Sequence, residues 1–185
     1  MPEEFEGDLA GAVFWGADLS GARFRDVNLT DAKISHAWLV NVDIDALVDK
    51  VVINGVDVTA YVNERDPWYP LRAMLRPVDP EGMRAAWAAL EDEWAKTITR
   101  AQALPEAMLH ESVNGEWSAL AVREDRATRF RGYLATVAAA DFTRPIEVLE
   151  NGTNPVQECI YTVFEEEFWH NRYAQRDLAQ LEAAR

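Results

Sequence analysis

The chain has 185 residues, 49% of them apolar, which is enough for one large domain or two small ones with a buried core. Eighteen basic against 32 acidic residues give a net charge of −14, which argues against direct binding of nucleic acid or an anionic membrane. No apolar run approaches bilayer-spanning length, and the acidic start with Glu3, Glu4 and Glu6 is unlike a signal peptide, so the expected location is cytoplasmic. Cys159 is alone, which leaves no partner for an intramolecular disulfide or a thiolate cluster.

From Gly7 the chain reads GDLAG, AVFWG, ADLSG, ARFRD, VNLTD, AKISH, AWLVN, VDIDA, eight blocks of five without a slip. The third residue of each block is large and apolar: Leu9, Phe14, Leu19, Phe24, Leu29, Ile34, Leu39 and Ile44. The first is small or β-branched, and the fifth is Gly, Asp, His, Asn or Ala. A period of five fits neither helix nor simple strand alternation, so the backbone must turn a corner once per block. The fifth residues suit such corners, and His36 needs no explanation beyond one.

This segment resembles the pentapeptide-repeat family, whose motif is a small residue, Asp or Asn, Leu or Phe, then two variable residues. The resemblance implies a right-handed quadrilateral β-solenoid in which four blocks make one coil, so eight blocks make two. Some members mimic duplex DNA and bind gyrase. Two coils at a spacing of about 4.8 Å are too short for that role, so a gyrase-binding function is disfavoured.

Val51, Val52 and Ile53 before Asn54-Gly55 predict a strand and tight turn, and Asp57 is placed to cap a short helix through Val62. This segment is expected to cap the solenoid, giving a first domain of residues 1–64. Pro67, Pro70 and Pro77 punctuate a linker of residues 65–78 whose Trp68, Tyr69, Leu71 and Leu75 are expected to pack as a seam.

Residues 79–185 carry helical periodicity. Asp79-Pro80-Glu81 starts a helix whose stripe is Met83, Trp87, Leu90, Trp94, Thr97 or Ile98, Ala101 and Leu104. After a loop containing His110, a second helix is predicted from about Ala119 to Val137, with Leu120, Ala127, Phe130 and Leu134 inward. A loop with Pro145, Asn151 and Gly152 leads to the last helix, whose stripe is Ile160, Phe164, Glu167, Asn171, Ala174, Leu178 and Leu181. Glu167 and Asn171 are polar and one turn apart on this inward face. Such a pair must be hydrogen-bonded, charge-paired or ligating.

The runs VNGEWS (Val113 to Ser118), LAVREDR (Leu120 to Arg126) and EEEFWHNRYAQRDLAQLEAAR (Glu165 to Arg185) resemble the DinB-like superfamily. That superfamily is a four-helix bundle that includes thiol-dependent isomerases and transferases, commonly with a divalent metal held by three histidines. The resemblance implies that the helix carrying the first histidine is missing here. It also places the two remaining ligand positions at Glu167 and Asn171, with His170 beside them. A carboxylate and an amide bind transition metals more weakly than imidazoles do.

The resulting expectation is an α+β chain: a short β-solenoid followed by an antiparallel bundle of about three long helices, DinB-like with one helix missing. Its expected function is non-catalytic, as a structural or interaction protein that pairs as a homodimer through the helices, with no cofactor. The alternative is a divergent metal- or thiol-dependent transferase, isomerase or hydrolase that uses Glu167, Asn171 and His170 with a divalent metal.

Overall fold

The structure, a computed structural model, describes residues 4–25, 27–105, 124–148 and 152–183, with side chains of the fourth helix described from Ala127 onward. His110, the Val113–Ser118 run and the start of the second predicted helix at Ala119 lie outside these residues. Two compact units divide the chain, Met1–Asp45 and Ala46–Arg185.

In the first unit the five-residue period appears as backbone geometry. Gly11, Gly16, Gly21, Asp31, His36 and Asn41, all fifth residues, have φ between 54° and 78°. At alternate corners the turn closes with a hydrogen bond: the N–H groups of Ala12, Ala22 and Ala32 donate to the carbonyls of Leu9, Leu19 and Leu29 at 2.9, 3.0 and 3.1 Å. The second residues of the same blocks fix these corners locally. Asp8 Oδ1 accepts from the Ala10 N–H at 2.9 Å. Asp18 and Asn28 accept from both the N–H and the hydroxyl of Ser20 and Thr30. A short polar side chain here holds the turn that a strand ladder would otherwise have to impose.

The four-sided β-solenoid is not formed. No strand is assigned among the described residues of this unit, and the eight central residues retain 47% (Leu19) to 70% (Ile34) of their surface. With only two coils available, a central side chain has at most one neighbour along the axis, so the repeat sequence alone cannot enclose a core.

The second unit opens with a hairpin, β1 (Val52–Ile53) paired antiparallel with β2 (Val56–Asp57). Asn54 and Gly55 between them both have positive φ, 51° and 83°, as the tightest hairpin turn demands. Helix α1 (Thr59–Arg65) follows, with the Thr59 N–H donating to Asp57 Oδ1 at 2.9 Å. The hairpin and α1, which the sequence grouped with the repeats, thus fall in the second unit.

Helix α2 (Tyr69–Arg72) carries the linker onto the helices. Leu75 is fully buried, and Trp68, Leu71 and Met74 pack against the same core. Arg72 is buried with them. Its Nε lies 2.8 Å from Asp66 Oδ2, and its Nη1 donates to the Ala46 carbonyl at 2.6 Å. Its guanidinium lies 5.3 Å from the ring centroids of both Phe168 and Trp169.

Helix α3 (Pro80–Gln102) begins as predicted, with the Gly82 N–H donating to Asp79 Oδ1 at 2.7 Å and Pro80 in the first turn. Its buried face is Met83, Trp87, Leu90, Trp94, Thr97 and Ala101, with Ala86 in addition. Helix α4 (Glu124–Thr136) packs Phe130 against Trp87, ring centroids 4.8 Å apart. A 3-10 turn (Ala139–Asp141) then leads to β3 (Pro145–Glu147), paired antiparallel with β4 (Thr153–Pro155) where the sequence predicted a loop. Strands of three residues carry too little alternation to be read from sequence.

Helix α5 (Val156–Ala183) starts against this hairpin, its Val156 and Gln157 N–H groups donating to the carbonyls of Arg144 and Phe142. No helix among the described residues is long and apolar enough to cross a membrane.

The predicted antiparallel bundle of about three long helices is not the observed arrangement. Among the described residues the architecture is mixed, with five α-helices and two small sheets. The long pair, α3 and α5, run parallel. Their contacts climb together, from Trp94 with Glu167 through Thr97 with Asn171 to Arg100 with Glu182. The intervening chain returns to the starting end of α3, where the Tyr161 hydroxyl donates to the Pro77 carbonyl at 2.7 Å.

Two stability outcomes follow from this packing. His36→Val is expected to cost about 1–2 kcal/mol, since β-branching opposes the left-handed corner, while His36→Gly is tolerated; chemical denaturation of the two variants checks this. Arg72→Met is expected to lower stability by about 3–5 kcal/mol because Asp66 loses its buried partner. Arg72→Lys should restore little of that loss, since only the guanidinium fork serves Asp66 and Ala46 together; urea midpoints of the two variants provide the test.

Candidate functional site

Parallel packing of α3 on α5 places the residues singled out by periodicity. Glu167 is 4% exposed and Asn171 1%, both on the buried face of α5. Opposite them on α3 stand Trp94 and Thr97, also buried. The sequence left Thr97 and Ile98 as alternatives for the inward position. Thr97 takes it, and Ile98 is half-buried.

The Asn171 amide is engaged at both ends. Its Nδ2 donates to Thr97 Oγ1 at 3.0 Å, and its Oδ1 accepts from Gln175 Nε2 at 2.9 Å. Gln175 Nε2 also lies 3.1 Å from Thr97 Oγ1 and 3.1 Å from Glu93 Oε1. Thr97 in turn donates its hydroxyl to the Glu93 carbonyl at 3.2 Å. The Trp94 indole N–H donates to the backbone carbonyl of Glu167 at 3.2 Å. At the far end Arg100 grips Glu182 through two bonds of 2.7 Å, and this contact raises the guanidinium pKa, the hydrogen bond first and the charge attraction after it.

The three residues of the alternative reading are not gathered on one surface. Glu167 and Asn171 face the interior, whereas His170 is exposed. His36 sits at a left-handed corner of the repeats with φ 54°, and His110 is outside the described residues. No group of three or more His, Cys, Asp or Glu side chains with metal-binding geometry occurs among the described residues. Cys159 is half-buried on the first turns of α5. The donor set that a three-histidine centre requires is not what Glu167 and Asn171 supply, because the amide is already spent on Thr97 and Gln175.

An open depression of about 740 Å³ runs along β2, α1 and α2, lined by Asp49, Asp57, Glu64 and Tyr69 among others. The Asp57 carboxyl there is held below the usual aspartate range by the Thr59 N–H and then by the Thr59 hydroxyl. That carboxylate holds the turn into α1 by accepting from its first residue, a structural task.

Sequence reasoning missed Gln175, Glu93 and Arg72. Gln175 follows Asn171 by four residues, and that spacing alone is a usable signal for a side-chain bond on a helix. Glu93 precedes Thr97 by four on α3 in the same way. Arg72 stands in the aromatic linker, where a cation among rings signals burial.

Comparison with known proteins bears on the first unit. A family model described as pentapeptide repeats matches residues 8–44 in eight copies, so the N-terminal region is a run of pentapeptide repeats. The match ends before the helices, and the DinB-like likeness of residues 165–185 gains no support from it. No curated protein matches the chain, and no solved structure matches it.

The polar network yields a double-mutant test. Asn171→Leu should cost about 1–3 kcal/mol by stranding Thr97 and Gln175. Adding Thr97→Val should cost less than the sum of the single losses, since the stranded hydroxyl is removed. Additive losses in chemical denaturation would mean the two side chains are not coupled.

Proposed function

We propose that the chain is a non-catalytic structural or protein-interaction protein, an adaptor in which the α3–α5 core supports a repeat segment that meets partners. The observation that carries this reading is the eight-copy pentapeptide repeat over residues 8–44, a type of sequence that indicates a structural or interaction role. The commitment of the Asn171 amide to Thr97 and Gln175 supports it, since the polar pair then serves the packing of α5 on α3. On this reading the Glu167 and Asn171 positions hold no metal, and no cofactor is needed.

The DinB-like metal- or thiol-dependent alternative would require His170 to join Glu167 and Asn171 around one ion. His170 faces solvent while the other two face the core. Elemental mass spectrometry of untagged protein, before and after incubation with zinc, nickel, iron and manganese, tests the choice. No stoichiometric metal is expected. About one ion per chain, lost on Glu167→Ala, would overturn the proposal.

A further inference from the structure

The turn between β1 and β2 is made of Asn54 and Gly55. An asparagine followed by glycine carries an electrophile and a nucleophile side by side: its own side-chain carbon Cγ and the backbone nitrogen of the next residue, which can close into a succinimide ring. Among the described asparagines only Asn54 precedes a glycine. Asn28 engages its amide oxygen with the Thr30 N–H, Asn171 is buried, and Asn154 is followed by Pro155, which has no N–H. Asn41 shares the left-handed backbone of Asn54, but the branched Val42 stands on the peptide it would need.

At the hairpin turn both reactants are uncommitted. Asn54 and Gly55 are exposed, and neither the Gly55 N–H nor the Asn54 side chain makes a hydrogen bond among the described residues. The space where a Gly55 side chain would begin is empty to 4 Å, so nothing shields its nitrogen. Ring closure needs a rotation of the Asn54 ψ out of the closed turn. Only the pairs Val52 with Asp57 and Ile53 with Val56 resist that rotation, and so short a ladder opens readily.

We propose that Asn54-Gly55 is a site of spontaneous deamidation that acts as a one-way switch on the hairpin and the start of α1. The Gly55 nitrogen bonds to Asn54 Cγ and loses its proton, while the Cγ–Nδ2 bond breaks and ammonia leaves. Water then opens the ring. Cleavage of the new N–Cγ bond leaves aspartate, whereas cleavage at the Asn54 backbone carbonyl leaves isoaspartate, in which the main chain runs through Cβ and Cγ. Water is the sole co-reactant, and each event adds a negative charge. The isoaspartate main chain is longer by a carbon, and a two-residue left-handed turn cannot absorb that carbon and keep Ile53 paired with Val56. The start of α1 is tied to this pairing. The Val58 N–H donates to the Val51 carbonyl at 3.0 Å, the Val51 N–H to Thr59 Oγ1 at 2.9 Å and the Thr59 N–H to Asp57 Oδ1 at 2.9 Å. Opening the hairpin therefore frees the first residue of the helix.

Position-resolved mass spectrometry of the full chain, aged at neutral and mildly alkaline pH and fragmented so that isoaspartate separates from aspartate, tests the chemistry. Asn114-Gly115 and Asn151-Gly152 share the motif, so the readout is residue 54 alone. Isoaspartate is expected to exceed aspartate there and to form faster as pH rises. Its rate in the folded chain should lie within about tenfold of its rate in denaturant. A folded chain that keeps Asn54 intact while the denatured chain converts it would overturn the proposal. Hydrogen exchange tests the switch. In the isoaspartate form the Val56 and Val58 amides should exchange at least about tenfold faster, with α3 and α5 unchanged. Freshly purified Asn54→Asp, which adds the charge without the extra carbon, should keep both amides protected. Equal protection in the isoaspartate form, or equal loss in Asn54→Asp, would overturn the switch.

Discussion

Arg72 is the contact on which the second unit depends. One buried guanidinium holds Asp66 at 2.8 Å and the Ala46 carbonyl at 2.6 Å, and lies over the rings of Phe168 and Trp169. Through it, the first residue of the unit, the turn after α1 and the middle of α5 share one charge. Burying a cation is costly unless its donors are met, and here the ion pair, a carbonyl and two aromatic faces divide that task. The linker thereby becomes part of the core: Leu75 is fully buried, and Trp68 meets Phe168 edge to face at 5.9 Å. An apolar face that three helices would leave open is covered from within the chain.

The α3–α5 pair then explains why polar residues sit in an otherwise apolar stripe. Ring and aliphatic contacts occupy one end, with Trp87, Phe130 and Phe164 in mutual contact. The Thr97, Asn171 and Gln175 bonds occupy the middle, and the Arg100 pair with Glu182 closes the far end. Apolar side chains alone tolerate sliding of one helix along another. A bonded amide fits one register only, and the price is that every member of the network must be satisfied.

What was legible in the sequence follows the length of each signal. The α3 and α5 stripes span five or more turns, and their expected inward residues through Leu178 are buried, with Thr97 taking the position left open against Ile98 and with Ala86, Val156, Tyr161, Phe168 and Asp177 buried in addition. Six of the fifth-position corners, Gly11, Gly16, Gly21, Asp31, His36 and Asn41, were legible because left-handed backbone restricts residue type strongly. The β3–β4 hairpin was not legible, having three residues per strand. The parallel course of α3 and α5 was not legible either, because periodicity fixes which face is buried and not which way the neighbour runs. For the site, position was readable and role was not. Spacing found Glu167 and Asn171, but their partners on α3 lie more than seventy residues away in the chain.

The protein divides into a helical unit held by internal bonds and a repeat segment held by local turns. Residue-level hydrogen exchange on the full chain measures that division most directly. The slowest amides are expected in α3 and α5 around Thr97 and Asn171. The repeats, whose described backbone bonds are the turn pairs at Ala12, Ala22 and Ala32, should exchange fast elsewhere. Repeat amides as protected as those of α3 and α5 would contradict it, because they would require a closed ladder that buries the central row.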